Sequence, residues 1–170
     1  MGAGWLRTRR AWITLSGIFP LAHGPIKIGR ANHGVPKGAP MSDAGPTTAT
    51  ATEPDYDHLL RSNLQRVFNE RDPARRAAAI AELYAEEPVM YEPDAIIHGR
   101  AAIADVAGAL LTRFGGDFRF VPEGSALGHH GMASLRWQAG TAGTAPTVTG
   151  IDTAEIVDGR IARLWVLLAL

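Results

Sequence analysis

Apolar residues recur along this chain at two different periods, and the change from one to the other divides it into helices and strands. From Asp57 to Arg71, Leu59, Leu60, Leu64, Val67 and Phe68 fall three or four positions apart, the spacing of one buried helix face. Asp72-Pro73 then supplies an N-cap and a first-turn proline for a second helix, which runs to about Ala85 with Ile80, Leu83 and Tyr84 as its apolar side. Pro88 ends any continuation. Val89–Glu92 reads as a short strand broken by Pro93-Asp94, and Ile96–His98 as a second extended piece. Gly99-Arg100 opens a third helix with Ile103, Val106, Ala107, Leu110, Leu111 and Phe114 on one side, and Gly115-Gly116 stops it.

Beyond Gly116 the period falls to two. Phe118–Val121 alternates, and a loop from Pro122 to Gly128 follows. His129–Gln138 forms a longer strand with Ala133, Leu135 and Trp137 on one face. After a turn over Gly140–Pro146, Val148–Leu168 reads as two strands joined at Asp158-Gly159, a strong hairpin signal. Helices first and strands afterwards predict an α+β domain: three helices packed on a curved antiparallel sheet. In the first strand of that hairpin, Val148, Gly150, Asp152, Ala154 and Ile156 share a face. A carboxylate among small and apolar residues must be paired, protonated or used.

Composition sharpens the boundaries. The net charge of zero conceals two unlike segments: residues 1–40 hold six Lys and Arg and no acid, whereas residues 41–170 hold eleven Arg against seventeen acids. Residues 1–56 are therefore expected to be a disordered extension, and 57–170 one domain of about 110 residues with a single core. Thr8-Arg9-Arg10-Ala11-Trp12-Ile13 resembles a twin-arginine export motif, but the apolar run after it is short and interrupted by Gly17 and Pro20. Met41-Ser42-Asp43-Ala44 reads equally as an ordinary start, which leaves the expected compartment cytoplasmic, or exported if the signal is genuine. With no cysteine, disulfides, thiolate metal sites and Cys nucleophiles are excluded. No basic stripe points to nucleic acid, and no apolar run is long enough for a membrane span.

Four segments together resemble the SnoaL-like branch of the nuclear transport factor 2-like superfamily. They are Phe68-Asn69-Glu70-Arg71-Asp72, Leu83–Val89, His98–Ile103, and Gly150-Ile151-Asp152 through Asp158-Gly159-Arg160-Ile161. The resemblance implies a cone of sheet and helices around an internal pocket, and dimerisation through the sheet. It leaves activity open, because the superfamily includes enzymes, ligand binders and dimerisation modules. Ketosteroid isomerases of the superfamily carry a carboxylate base just before a proline, and Glu92 in Met90-Tyr91-Glu92-Pro93 holds that place. They also carry a protonated Asp that donates to the developing oxyanion, and Asp152 matches it. Their helix tyrosine falls near Leu64, which cannot donate, so a true steroid isomerase is not expected. Epoxide hydrolases need an acid on the last strand, and Leu164-Trp165-Val166-Leu167 has none.

The residues themselves leave each candidate two roles. Glu92 shares the parity of Met90 and can act as a general base in an apolar pocket, or cap a backbone amide as a surface residue. Asp152 can be an acid or oxyanion donor, or a structural group satisfied by Arg136, Trp137 or a backbone amide. Tyr84 and Tyr91 are better read as core than as phenol donors. His98, at the mouth of the third helix, can reach a ligand or merely form the turn. Met90, Phe114, Phe118, Phe120, Trp137 and Trp165 can line a pocket for an apolar ligand or simply fill the cone. His129 and His130 should face opposite ways, and no metal-ligand spacing or glycine-rich phosphate loop is found. Two functions follow. One is a cofactor-independent isomerase or cyclase acting on a hydrophobic cyclic or polyketide-like molecule, with Glu92 and Asp152 catalytic. The other is a non-catalytic homodimer that binds such a ligand, with Thr147, Thr149 and Thr153 as contact residues.

Overall fold

The computed structural model describes residues 53–169; the export-like segment and most of the expected extension lie outside the described residues. Three helices, α1 (Tyr56–Asn63), α2 (Pro73–Leu83) and α3 (Arg100–Phe114), pack against six strands. The strands are β1 (Tyr84–Glu92), β2 (Ala95–His98), β3 (Phe118–His129), β4 (Met132–Thr141), β5 (Val148–Val157) and β6 (Arg160–Ala169). They form one curved, unclosed sheet in the order β2-β1-β6-β5-β4-β3. Every junction is antiparallel except β1–β6, where the first long strand runs parallel to the last.

Local chemistry accounts for most boundaries. Asp55 caps α1 by accepting from the His58 amide, and Asp72 caps α2 by accepting from Arg75, with Pro73 in the first turn. Gly115 ends α3 at φ 85°, a value that favours glycine. At the closing hairpin Asp158 and Gly159 both take positive φ, 51° and 74°, as a two-residue mirror-image turn requires.

Four expectations need correction. The first helix does not run on to Arg71: after Asn63 it widens into a π-helical turn, Leu64–Phe68, which keeps Leu64, Val67 and Phe68 buried. The second helix stops at Leu83, and β1 begins at Tyr84, well before Val89. Pro88 is tolerated there because the β1–β6 register shifts between Tyr84 and Val89, where a missing N–H costs no ladder bond. The segment Pro122–Gly128 is not a loop but the far half of β3, with an irregularity between Glu123 and Leu127. The chain reverses instead at His130-Gly131, a second pair with positive φ, 50° and 78°. There His129 and His130 do not point apart; their Nδ1 atoms lie 3.1 Å from each other, because a turn residue escapes strand alternation.

The core fills the space between the helices and the sheet's inner face. Leu60, Leu64, Val67, Ile80 and Ile103 meet Met90, Leu135, Ala154 and Leu164 there, all nearly or wholly buried. Two polar devices close the helices onto the strands. Asn69 extends the free edge of β3, donating to the Phe120 carbonyl and accepting from the Phe120 amide, both at 2.8 Å. Arg100 reaches back from α3 to donate to the carbonyls of Tyr84 and Ala85.

Candidate active site

Inward-facing residues on the three central strands are closed at one end of the sheet and half-open at the other. Along β6, Ile161 and Leu164 are fully buried while Val166 and Leu168 are half-buried; along β5, Ile156 and Ala154 are buried and Val148 is half-buried. On β1, Tyr84, Pro88 and Met90 are buried and Glu92 is half-buried. Each strand thus runs from sealed core to a half-open apolar rim, β6 with one register irregularity between Ile161 and Leu164. Asp152 stands at that transition, 3 % exposed.

Register aligns the two carboxylates. Leu135 pairs Asp152 and Asp152 pairs Val166, while Met90 pairs Leu164 two positions earlier, so Glu92 falls in the same row. Glu92 and Asp152 are two strands apart, about 10 Å between backbones, on one concave face. Burial is the main reason the Glu92 carboxyl is pushed up to about 7, with the charges of Asp152 and then Asp94 adding to it. Asp152 also rises to about 7, because burial outweighs the Trp137 hydrogen bond that favours its ionised form. A close buried pair of this kind titrates as a unit.

Trp137 supports Asp152 directly: its Nε1–H donates to Oδ1 at 2.7 Å. Gly150, the cross-strand partner of Trp137, makes this geometry accessible. A Cβ there would lie 2.5 Å from Cζ2 of the indole and 2.7 Å from the Leu167 carbonyl. From Trp137 a chain of aromatic contacts leads through Phe120 and Phe118 to Phe114 at the end of α3, with ring centroids 5.4, 5.6 and 4.4 Å apart. Of the residues expected to surround a ligand, Met90, Phe114, Phe118, Phe120 and Trp137 therefore converge on the inner face with both carboxylates.

Two expected site residues do not join them. Trp165 has the parity of Arg163 and Leu167, opposite to Leu164 and Val166, and stacks on Tyr91 at 5.1 Å on the outer face. A strand spelled Leu-Trp-Val-Leu offers no alternation to tell its two sides apart, so the error was one of parity. His98 is exposed at the end of β2, paired with Val89 on the same outer side, and its backbone forms the turn into α3. Tyr91 lies on that outer face as well, half-buried against Trp165 rather than in the core as the sequence suggested.

Asn63 joins the cluster without a signal in the sequence, and Tyr84 joins it as the core residue expected. The Tyr84 hydroxyl, completely buried, donates to Asn63 Oδ1 at 2.7 Å. Burial holds its phenol well above the usual range, and the negative charges of Asp152 and Glu92 add to the effect. Two buried side-chain atoms in the described part of the chain have no hydrogen-bond partner: Asn63 Nδ2 and Glu92 Oε2. Both belong to this cluster. No group of three or more His, Cys, Asp or Glu residues suited to holding a metal occurs among the described residues, and no helix among them is long and apolar enough to cross a membrane.

Comparison with known proteins agrees with this architecture. No curated protein sequence matches the chain significantly. A candidate isomerase of the SnoaL-like family from Agrobacterium tumefaciens superposes with a TM-score of 0.63 at 23 % identity, over 68 % of this chain and 98 % of that one. A candidate ketosteroid isomerase from Kribbella flavida gives 0.53 at 21 % identity, over 68 % and 78 %. A candidate polyketide cyclase from Sinorhizobium meliloti gives 0.50 at 22 %, over 64 % and 92 %. At these identities the likeness speaks for the fold. The profile of the SnoaL-like domain matches residues 63–164, from the end of α1 to the buried Leu164 of β6, and the chain belongs to the SnoaL-like family.

Proposed function

We propose that this protein is a cofactor-independent acid–base catalyst, an isomerase or cyclase that moves a proton within a small hydrophobic cyclic or polyketide-like molecule. The observation that carries this reading is the pair Glu92 and Asp152, two carboxylates in one row of the sheet's inner face, each pushed up to about 7. A general base is most effective when its pKa lies near the working pH. Glu92, at the half-open rim and with one oxygen unpartnered, is the group that takes the proton. Asp152 is anchored by Trp137 through Oδ1, which leaves Oδ2 as the oxygen that carries a proton and donates it. The aromatic chain from Phe114 to Trp137, with Val148, Val166 and Leu168 at the rim, suits an apolar body.

Carboxyl-carbon NMR titration of Glu92 and Asp152 in the full chain tests the reading. Titration of both groups together near neutrality supports it. If both follow the ordinary carboxylate range, about 4, the carboxylates are structural and a non-catalytic ligand-binding module is the better account.

A homodimer accompanies the proposal. The outer face carries the stacked Tyr91 and Trp165 beside exposed Ile96 and Leu167, 60 % and 52 % accessible, a contiguous apolar patch of the kind that marks an interface. Light scattering should give twice the chain mass, and a monomer overturns this part.

A further inference from the structure

A cleft of about 400 Å³ opens between α2 and α3, where the first turns of α2 face the C-terminal half of α3. It shares no residue with the carboxylate site. Arg76 lines it. This arginine is in phase with Ile80 and Leu83 on the inward side of α2, and is only 7 % exposed. A cation so placed is costly unless it is paired. Its neighbour Arg75 pairs with Glu70 at 3.0 Å. Arg76 forms no ion pair among the described residues. It donates instead to two carbonyls, through Nε to Ala104 at 3.1 Å and through Nη1 to Glu70 at 2.6 Å.

That leaves Nη2 without a partner. Unlike Asn63 Nδ2, it is not sealed from solvent. Its way out is past Gly108, which lines the same cleft. Glycine inside a helix is less stable than alanine. A Cβ at 108, however, would lie 2.7 Å from Nη2 and 3.3 Å from Cζ. Glycine is therefore what lets the guanidinium lie against α3 with its tip in the cleft.

Arg71 borders the cleft as well. It donates to the carbonyls of Leu111 and Gly115 at the end of α3, and it too forms no ion pair among the described residues. Carbonyls accept hydrogen bonds but carry no net charge. The one carboxylate at the cleft is Asp105, likewise without an ion pair, so the lining keeps an excess of positive charge. A small oxyanion answers this arrangement: it takes a charge-assisted bond from Nη2 and compensates the buried cation. A neutral or cationic ligand would not. The cleft is roomier than an inorganic anion needs, and Pro73 and Leu111 give it apolar surface beside the cations.

We propose that the cleft between α2 and α3 binds the carboxylate or phosphate group of a small organic molecule, with Arg76 Nη2 as the donor that grips it, Arg71 as the supporting charge and Gly108 as the residue that keeps the grip accessible. The site stands independently of the acid–base reading of Glu92 and Asp152.

The test is titration of the full chain with inorganic phosphate and, separately, with acetate, each exchanged against sodium chloride at constant ionic strength. The Arg76 Nε–H resonance, followed by nitrogen-15 NMR, is the readout. A saturable shift at millimolar concentration is expected with at least one anion; phosphate alone points to a phosphoryl group, acetate alone to a carboxylate. Gly108→Ala displaces the guanidinium tip while favouring the helix. It should weaken binding about 10–100-fold, the worth of one charged hydrogen bond. Asp105→Asn, at an exposed position, removes a repulsive charge without touching the donor. It should tighten binding by up to about fivefold, the scale of a surface charge pair, and it keeps the test open if Gly108→Ala does not fold. No saturable shift with either anion overturns the proposal. So does unchanged affinity in a folded Gly108→Ala, or binding that Asp105→Asn fails to tighten, because the anion then sits elsewhere.

Discussion

Two asparagines six residues apart, Asn63 and Asn69, show the difference between a polar group the fold saturates and one it leaves half used. Asn69 uses both ends of its amide on the backbone of Phe120, imitating one residue of an extra strand along the free edge of β3. Asn63 is the more deeply buried, yet uses one end only. The same contrast separates the structural cations from the carboxylate pair. Arg76, 7 % exposed, donates to the carbonyls of Glu70 and Ala104, and Arg100 to those of Tyr84 and Ala85. Glu92 has one oxygen left over. Among the described residues these fasteners leave no buried atom without a partner, whereas Asn63 and Glu92 each leave one. Since an unmade buried bond costs more than a made one gains, that asymmetry costs stability.

The largest test of the contrast is chemical. Glu92→Gln and Asp152→Asn should each lower proton transfer on a cyclic or polyketide-like substrate by about 10²–10⁴-fold, the usual contribution of a positioned acid or base, and leave the circular dichroism spectrum unchanged. Equal activity in wild type and both variants would erase the distinction between the two kinds of polar group.

The next largest is a pH dependence. Both carboxyls bind their protons more tightly folded than unfolded, with folded values of about 7 against ordinary values of 4.5 and 3.8. The folded state therefore holds more protons across that interval. Stability from this source is full below about pH 4 and is lost as pH rises toward 7, each carboxyl contributing a slope of up to about 1.4 kcal/mol per unit. Urea titrations should show it. Asp152→Asn should flatten the slope, since it removes one titrating group and the charge that raises the other. A wild-type curve level between pH 5 and 7 would sink the prediction.

How far all this could be read in the chain itself follows from which physics each feature obeys. Element types, the caps at Asp72 and Gly115, the Asp158-Gly159 turn and the inward face of β5 obey local rules of period and φ, so they were legible. So was the inward placement of Glu92 and Asp152, because an acid in phase with apolar neighbours declares itself. The start of β1 was not: Tyr84 is in phase with Ile80 and Leu83 as a helix residue, and only its pairing with Ile161 makes it a strand. Trp165 was misplaced because a strand apolar on both sides has no readable parity. Asn63 carried no signal at all, since a polar residue beside Leu64 on a helix looks solvated until the π-helical turn and the tertiary fold bury it. His130-Gly131 was readable in principle, as a glycine preceded by a residue that tolerates positive φ, but the proline at 122 and the glycines at 124 and 128 drew the break too early.

The smaller predictions concern stability and set the asparagines against each other. Asn69→Ala strips two backbone hydrogen bonds from the edge of β3 and leaves the Phe120 groups unpaired, at a cost of about 2–3 kcal/mol, while the carboxyl titration should not move. Asn63→Leu/Tyr84→Phe is the counterpart and should have the smallest effect. Removing both partners of a buried hydrogen bond and filling the space with apolar atoms is close to neutral, within about 1 kcal/mol, and here it also removes an unpartnered amide. Urea midpoints of the two variants measured at one pH give the comparison directly. If the double variant loses as much stability as Asn69→Ala, Asn63 is a fastener like the others and its free hydrogen is satisfied within the fold.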